Sequence, residues 1–417
     1  MIDRLVFEKT KFANGATAHV RRMDAPYTTI YVMIPIGSAH TGAHILPGSP
    51  HFLEHLMVGR SRLNPARSEF DLAVGLTGGW TNAHTAYEWT SYELSVPNRH
   101  LAELLPRFCS AIFEPLFPDE DLTQQRGVIA NERQLEERWW PGQSEIGQYI
   151  RTGWQLDDPV GIRRTFGSDE DLAAIQASDL NRLHRQYFDP RIKIVAAGCG
   201  DLTPLLDYVE ALTLNALPLP SQHERLRWVN QTYHEKAFRD ASSYELYYGA
   251  ILSEVPDPEA TCVANFILTY FCNCTHGPLY DWLRNDEGLV YDINWGICRT
   301  PWGADWSLSF ELNEPSHVEF VRNSLRERME AAITDTERVR REIERLRDRA
   351  EAFDYQLPDS IVDTATNDYH EFGRLVSETE WRRYVAQCAD PAYLLAAFHQ
   401  YFDPAITGSF CAIPIED

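Results

Sequence analysis

The pentapeptide Gln186-Tyr187-Phe188-Asp189-Pro190 recurs as Gln400-Tyr401-Phe402-Asp403-Pro404, at an offset of 214 residues. Each copy is followed by an apolar stretch, over 192–198 in the first case and 406–414 in the second. A repeat at equivalent points of two halves marks a duplicated structural unit. Such a chain has two similar cores to bury, and 417 residues suit two domains of about 200 residues each. The change-over is expected near 216–224, where Pro218 and Pro220 precede a polar run. The expected domains are therefore 1–214 and 225–417.

Local patterns set the fold class. Residues 5–23 read as a hairpin about Asn14-Gly15, a strong turn signal, and 28–37 as a β-branched, apolar strand. Helices are expected at 68–76, 99–113 and 121–140, and a charged one at 335–353 in the second half. Strands in clusters alternating with groups of helices indicate α+β layers, not a regular βα alternation.

The segment His51-Phe52-Leu53-Glu54-His55 carries the chemistry. Pro47-Gly48 makes a turn before it, with Ser49 expected as the helix cap and Pro50 at the first helical position. Histidines four apart on a helix point the same way, about 40° from each other around the axis, and Glu54 shares that face. Two neutral imidazoles suit zinc, which takes nitrogen and oxygen ligands in tetrahedral geometry. The order H-x-x-E-H inverts the commoner H-E-x-x-H zinc motif. A catalytic zinc then lacks a third protein ligand. The polar stretch 121–140 offers Glu132, with Glu136 and Glu137 after it.

With these residues the chain resembles the pitrilysin/insulinase family, which includes the mitochondrial processing peptidases. In that family H-x-x-E-H is followed at this distance by a Glu-bearing helix, here Val128-Ile129-Ala130-Asn131-Glu132. The resemblance implies that His51, His55 and Glu132 hold one zinc ion per chain and that Glu54 is the general base. It also covers Gly78-Gly79-Trp80-Thr81-Asn82-Ala83-His84-Thr85, with Glu88, Thr90 and Tyr92, where the family's Asn-Ala strand edge pairs with substrate backbone. That assigns substrate binding to Asn82 and Ala83, a sensible arrangement because main-chain hydrogen bonds accept any peptide. Leu283-Arg284 and Gly288-Leu289-Val290-Tyr291 resemble the element whose Arg and Tyr serve the catalytic centre, giving Arg284 and Tyr291 catalytic roles on the substrate oxyanion. One position departs from the pattern: relatives commonly have Glu seven residues before the ligand Glu, and here it is Gln125. Glutamine still accepts a hydrogen bond behind a ligand imidazole but supplies no charge.

The resemblance implies a zinc metalloendopeptidase acting on short or unfolded peptides in a clam-shell chamber, of which this chain forms half. It further implies a homodimer, or a heterodimer with a related metal-free subunit. The rival expectation is a non-catalytic peptide-binding or scaffold subunit. Carrying the offset of 214 onto the zinc residues maps His51, Glu54, His55 and Glu132 to Asn265, Leu268, Thr269 and Leu346, so the second unit is expected to be metal-free.

Composition bounds the setting. A formal charge of −23 excludes nucleic-acid binding as the main business of the chain, because phosphate contacts need basic surface. No run of about 20 apolar residues offers a membrane span. The N-terminus lacks a basic-then-apolar secretory plan, and eight cysteines without regular spacing read as free thiols, so a cytoplasmic setting is expected. Cys272, Cys274 and His276 form a weak second metal pattern, lacking a fourth ligand.

Overall fold

The computed structural model describes residues 6–40, 45–57, 59–139, 145–156, 165–215, 227–252, 257–300, 303–349 and 357–415. It divides into two compact units. The first comprises 1–135, 160–223 and 353–375, and the second 136–159, 224–352 and 376–417. The expected domains 1–214 and 225–417 were continuous, whereas each unit takes one segment from the other half of the sequence.

The first unit is built on a six-stranded sheet. Its order is Glu8–Lys11, Thr17–Arg22, Lys193–Gly198, Tyr27–Ile34, Thr90–Pro97 and Trp80–Thr85. Every pair is antiparallel except Thr17–Arg22 with Lys193–Gly198. The expected hairpin is present, turning through Gly15 at φ 100°. A non-glycine residue there would be strained, and its Cβ would meet Pro190 Cβ at 2.8 Å.

The strand Tyr27–Ile34 is buried along nearly its whole length, which requires cover on both faces. Ile30, Val32 and Ile34 face the larger core, where Phe52, Leu53 and Leu56 of the helix Ser49–Met57 pack with Leu104, Leu105 and Phe108 of the helix Leu101–Phe113. Tyr31 and Met33 face the other way, against Ile361, Val362, Ala365 and Tyr369 of the helix Pro358–Phe372. That helix comes from the second half of the sequence.

The second unit repeats the plan. Its sheet runs Glu235–Phe238, Thr407–Pro414, Tyr244–Leu252, Gly303–Leu312 and Ile293–Thr300, again with one parallel pair, Glu235–Phe238 with Thr407–Pro414. The offset of 214 carries Thr90–Pro97 to 304–311 and Leu101–Phe113 to 315–327. The corresponding elements are Gly303–Leu312 and Pro315–Thr334. The rear face of this sheet is covered by Ile146 and Trp154, which pack on Phe238, Phe410 and Ala412. The offset carries 145–154 to 359–368, inside Pro358–Phe372. The two exchanged segments therefore stand at equivalent places in the duplication, each covering the sheet of the unit it joins.

Candidate metal centre

The motif helix begins one residue earlier than its sequence suggests. Ser49 is the first helical residue, and Gly48, at φ 83°, precedes it with its carbonyl accepting from Phe52 N–H at 2.8 Å. The positive φ suits glycine, and a Cβ there would meet Phe166 O at 2.7 Å. Ser49 is thus not the cap. The helix still presents His51, Glu54 and His55 on one side, and His51 and Glu54 are buried. The helix Asp119–Trp139 supplies Glu132 and Gln125, seven residues apart and so about two turns.

Three atoms converge. His51 Nε2 lies 3.2 Å from His55 Nε2, and Glu132 Oε2 lies 3.0 Å from His55 Nε2 and 3.6 Å from His51 Nε2. Among the described residues this is the one group of three or more His, Cys, Asp or Glu side chains close enough to share an ion. The triangle fits zinc. Bonds of ~2.0–2.1 Å in a tetrahedron give ligand-to-ligand edges of about 3.3–3.4 Å, and the three edges bracket that length. Glu132 Oε2 is a buried oxygen with no hydrogen-bond donor of its own. Two imidazole nitrogens and an anionic oxygen aimed at one point form a donor set for a cation. Three protein ligands leave one tetrahedral position open, as catalytic zinc sites do and structural ones do not.

Electrostatics agree with that reading. Burial opposes the charge on Glu132, but the adjacent imidazoles of His51 and His55 outweigh it and hold its carboxyl far below the usual carboxylate range. Burial likewise opposes protonation of His55, and Glu132 and Glu54 outweigh it, so its pKa is raised. Both shifts arise from one contact, the Glu132 carboxylate against the two imidazoles.

The surroundings hold the ligands in place. Gln125 Oε1 lies 3.3 Å from His55 Nδ1. The carbonyl oxygen can only accept, so Nδ1 carries the proton and Nε2 keeps its lone pair. Phe166 packs edge-on to His51, with ring centroids 5.0 Å apart. Thr85 Oγ1 donates to Glu54 Oε2 at 2.5 Å, and both side chains are buried. Sequence reasoning assigned Phe166 no role. It quoted Thr85 in the strand pattern without a task, although its place at the end of a strand beside the motif was the available signal.

The strand Trp80–Thr85, with Asn82 and Ala83, is an edge of the six-stranded sheet. Asn82 pairs with Glu93 and Ala83 with Tyr92 on the inner side, which leaves the outer backbone groups of the strand unpaired in the sheet. The Asn82 side chain is exposed, while Ala83 packs on the larger core. Arg284 and Tyr291 belong to the second unit. There Arg284 donates to the Tyr291 carbonyl, and its guanidinium stands 4.4 Å from the Tyr291 ring centre, with Tyr291 82 % exposed. Cys272 is buried, Cys274 is exposed, and His276 pairs with Glu342 at 2.9 Å, so these three form no metal cluster. No helix of the described residues is long and apolar enough to cross a membrane.

Residues 17–156, which contain the whole centre, match the Insulinase (Peptidase family M16) domain. The chain carries a peptidase family M16 domain. An uncharacterized zinc protease of Streptomyces coelicolor is 31 % identical over 165 residues, covering 38 % of this chain and 35 % of that protein. The match thus spans about a third of that relative's length. Among solved structures, a protease from Helicobacter pylori superposes with a TM-score of 0.77 over 98 % of this chain and 99 % of its own, at 15 % identity. A peptidase M16 inactive domain from Pseudomonas fluorescens does so with a TM-score of 0.76 over 98 % of each chain, at 13 % identity. The M16 relatives share the α+β fold of sheets packed by helices.

Proposed function

We propose that this chain is a zinc metalloendopeptidase that hydrolyses short or unfolded peptides. The observation that carries the reading is the triangle of His51, His55 and Glu132, with Glu54 beside it and one ligand position open. A zinc ion held there would supply a Lewis acid and lower the pKa of a water towards ~7. Glu54 takes the proton from the attacking water and returns it to the leaving amine. Thr85 holds the Glu54 carboxylate in one orientation for both transfers. Gln125 fixes the tautomer of His55. The open backbone of Trp80–Thr85 receives the peptide as an added strand at Asn82 and Ala83, which selects extended chains and accepts many sequences.

In this reading Arg284 and Tyr291 donate to the oxyanion formed at the scissile carbonyl. Each pair serves the zinc of a partner chain, so that two chains enclose one chamber and the working form is a homodimer in the cytoplasm. A heterodimer with a related subunit satisfies the same requirement.

The test is cleavage of a mixed peptide pool, followed by mass spectrometry, for the wild type and Glu54→Gln. The wild type should cleave and a zinc chelator should stop it. Glu54→Gln should keep its zinc and its thermal stability and lose cleavage. A zinc-loaded sample that binds peptides and cleaves none would mark a peptide-binding subunit instead. Mixing Glu54→Gln with Arg284→Ala should restore activity if sites are shared between chains. An active monomer in light scattering would refute sharing.

A further inference from the structure

The chain has 38 basic residues, of which only four, Lys9, Lys11, Lys193 and Lys236, are lysines. Three of those four line a single pocket of about 690 Å³ in the first unit. It lies on the rear face of the six-stranded sheet, the face covered by Pro358–Phe372 and turned away from the motif helix. Arg191, Arg374 and His19 also line it, and no aspartate or glutamate does among the described residues. In a protein of charge −23, a pocket that gathers three of the four lysines, with no acid in its wall among the described residues, is a local reversal of sign.

Two ordinary explanations cover part of this. Lysines on an edge strand discourage pairing with other chains, which accounts for Lys9 and Lys11 on Glu8–Lys11. Arg191 is bound to both oxygens of Asp189 at 3.0 Å, so its charge is already met. Neither accounts for Lys193. It starts the third strand of the sheet and is half-buried, and no ion pair joins it to a carboxylate among the described residues. Its ammonium rests 4.3 Å from the Trp89 ring centre and 5.1 Å from that of Tyr369. Ring faces soften the cost of an unpaired ammonium without neutralising it. Burial, then Arg191 and Lys9, push the Lys193 amine down to about 8. Burial, then Lys9 and Lys193, push His19 down to about 4, and Tyr369 Oη stands 2.8 Å from its Nε2. Lys9 and Lys193 thus act on each other and on His19 as like charges, and no ion pair joins either lysine to a carboxylate among the described residues.

The strand register sets the size of that counter-charge. Lys9 and Lys11 are two residues apart on one strand, about 7 Å, and Lys11 is separated from Lys193 by the width of two strands, about 10 Å, through Thr17. A single carboxylate does not span such a triangle. We propose that the pocket bounded by Lys9, Lys11 and Lys193 binds a small polyvalent oxyanion, one carrying two or three phosphate or carboxylate groups. Lysine serves such a ligand as a point charge on a flexible stem, adjusting to groups spread over several ångströms.

The test is calorimetric titration of the full, zinc-loaded chain at fixed ionic strength. The probes are fructose 1,6-bisphosphate and benzene-1,3,5-tricarboxylate, chosen because they chelate zinc far less than citrate or pyrophosphate, with acetate as the monovalent control. At least one probe should bind at one site, tenfold or more tighter than acetate. The two arms decide between phosphate and carboxylate as the preferred group. Lys9→Gln/Lys11→Gln, which alters exposed positions only, should weaken that binding about tenfold or more with zinc content unchanged. Affinity should also fall as pH rises through about 8 in the wild type and stop falling in Lys193→Arg, with Lys9, Arg191, Asp189, His19 and Tyr369 as the other groups facing that amine. The proposal is overturned if neither probe outbinds acetate, or if the double variant binds as the wild type does. It does not depend on cleavage, so a chain that hydrolyses nothing leaves it standing.

Discussion

Replacing Gln125 by Leu tests the centre without touching a ligand. In the wild type, Gln125 Oε1 accepts from His55 Nδ1 across 3.3 Å, while His55 Nε2 converges with Glu132 Oε2, 3.0 Å away, on the metal position. Leucine keeps the bulk of the side chain and removes the acceptor. The imidazole then loses the partner that selects its tautomer and raises its basicity. Losses of this kind cost roughly 10–100-fold in metal affinity, or about 1.4–2.7 kcal/mol. His55 retains 18 % side-chain exposure, so water can replace part of the lost acceptor. The expected loss is therefore in the lower half of the range, about 10–30-fold. Gln125→Glu should act in the opposite direction, because a carboxylate is the stronger acceptor and adds negative charge behind the ligand. The assay is competition for zinc against a chromogenic chelator with apo protein, with His55→Ala as the reference for a lost ligand. If Gln125→Leu binds zinc within twofold of the wild type while His55→Ala abolishes binding, Gln125 does not orient the ligand and the argument from its geometry fails.

Thr85→Val removes the hydroxyl that holds Glu54, a hydrogen bond to a charged acceptor worth about 1.5–3 kcal/mol. It should lower kcat by roughly 10–100-fold with zinc content unchanged, and an unchanged kcat would show that Glu54 is oriented by something else. Glu93 titrates at about 7, because burial raises it and the nearby charges of Asp363 and Glu54 add to that, against the hydrogen bond from Tyr31. Its protonated form is the one the fold prefers. The contribution is complete below about 4.5 and is lost as pH rises through about 7, on the order of 3 kcal/mol in all. The urea midpoint of Glu93→Gln should accordingly gain on that of the wild type between pH 5 and 8, and a constant difference across that window would contradict it.

The sequence carried the duplication because both halves kept the same packing problem. Gln186 to Pro190 and Gln400 to Pro404 each lead into an interior strand of their sheet, and Tyr187 and Phe402 are fully buried there. The three members of the metal triangle were legible for a different reason. His51 and His55 are fixed by helical spacing, which is local, whereas Glu132 is 77 residues beyond His55 and was reached only through the resemblance. The exchange of helices between units left no local trace. Nothing in the apolar spacing of Pro358–Phe372 says which sheet it covers, since Ile361, Val362 and Ala365 would suit either. The buried strand Tyr27–Ile34 did hold the complementary clue. Apolar side chains on both of its faces demand a second layer, and the sequence between its neighbours supplies none. Thr85 and Phe166 escaped because a hydrogen bond to a buried carboxylate and an edge-on ring are made by the folded chain, not by spacing.

The comparison of the two units bears on whether the centre is a relic. Burying a carboxylate is costly unless it is hydrogen-bonded, and Glu54 is only 8 % exposed. In the second unit the equivalent position is Leu268, with no exposure, in the core of that unit. With Asn265 and Thr269 where the first unit has its imidazoles, a carboxylate there has no task and an apolar residue packs better. The first unit has kept the expensive alternative together with its partner, Thr85. This predicts that Glu54 is retained at a loss in stability. Glu54→Leu alone leaves the Thr85 hydroxyl buried without its acceptor, which costs about 1–3 kcal/mol. Glu54→Leu/Thr85→Val removes both groups, and replacing a buried polar pair by well-packed apolar residues is often neutral or stabilising by ~1–4 kcal/mol. Thermal unfolding of apo protein should therefore place the double variant at or above the wild type and above Glu54→Leu, with cleavage lost in both. A double variant less stable than the single one would mean that the pair is structural, and the retention of Glu54 would then say nothing about catalysis.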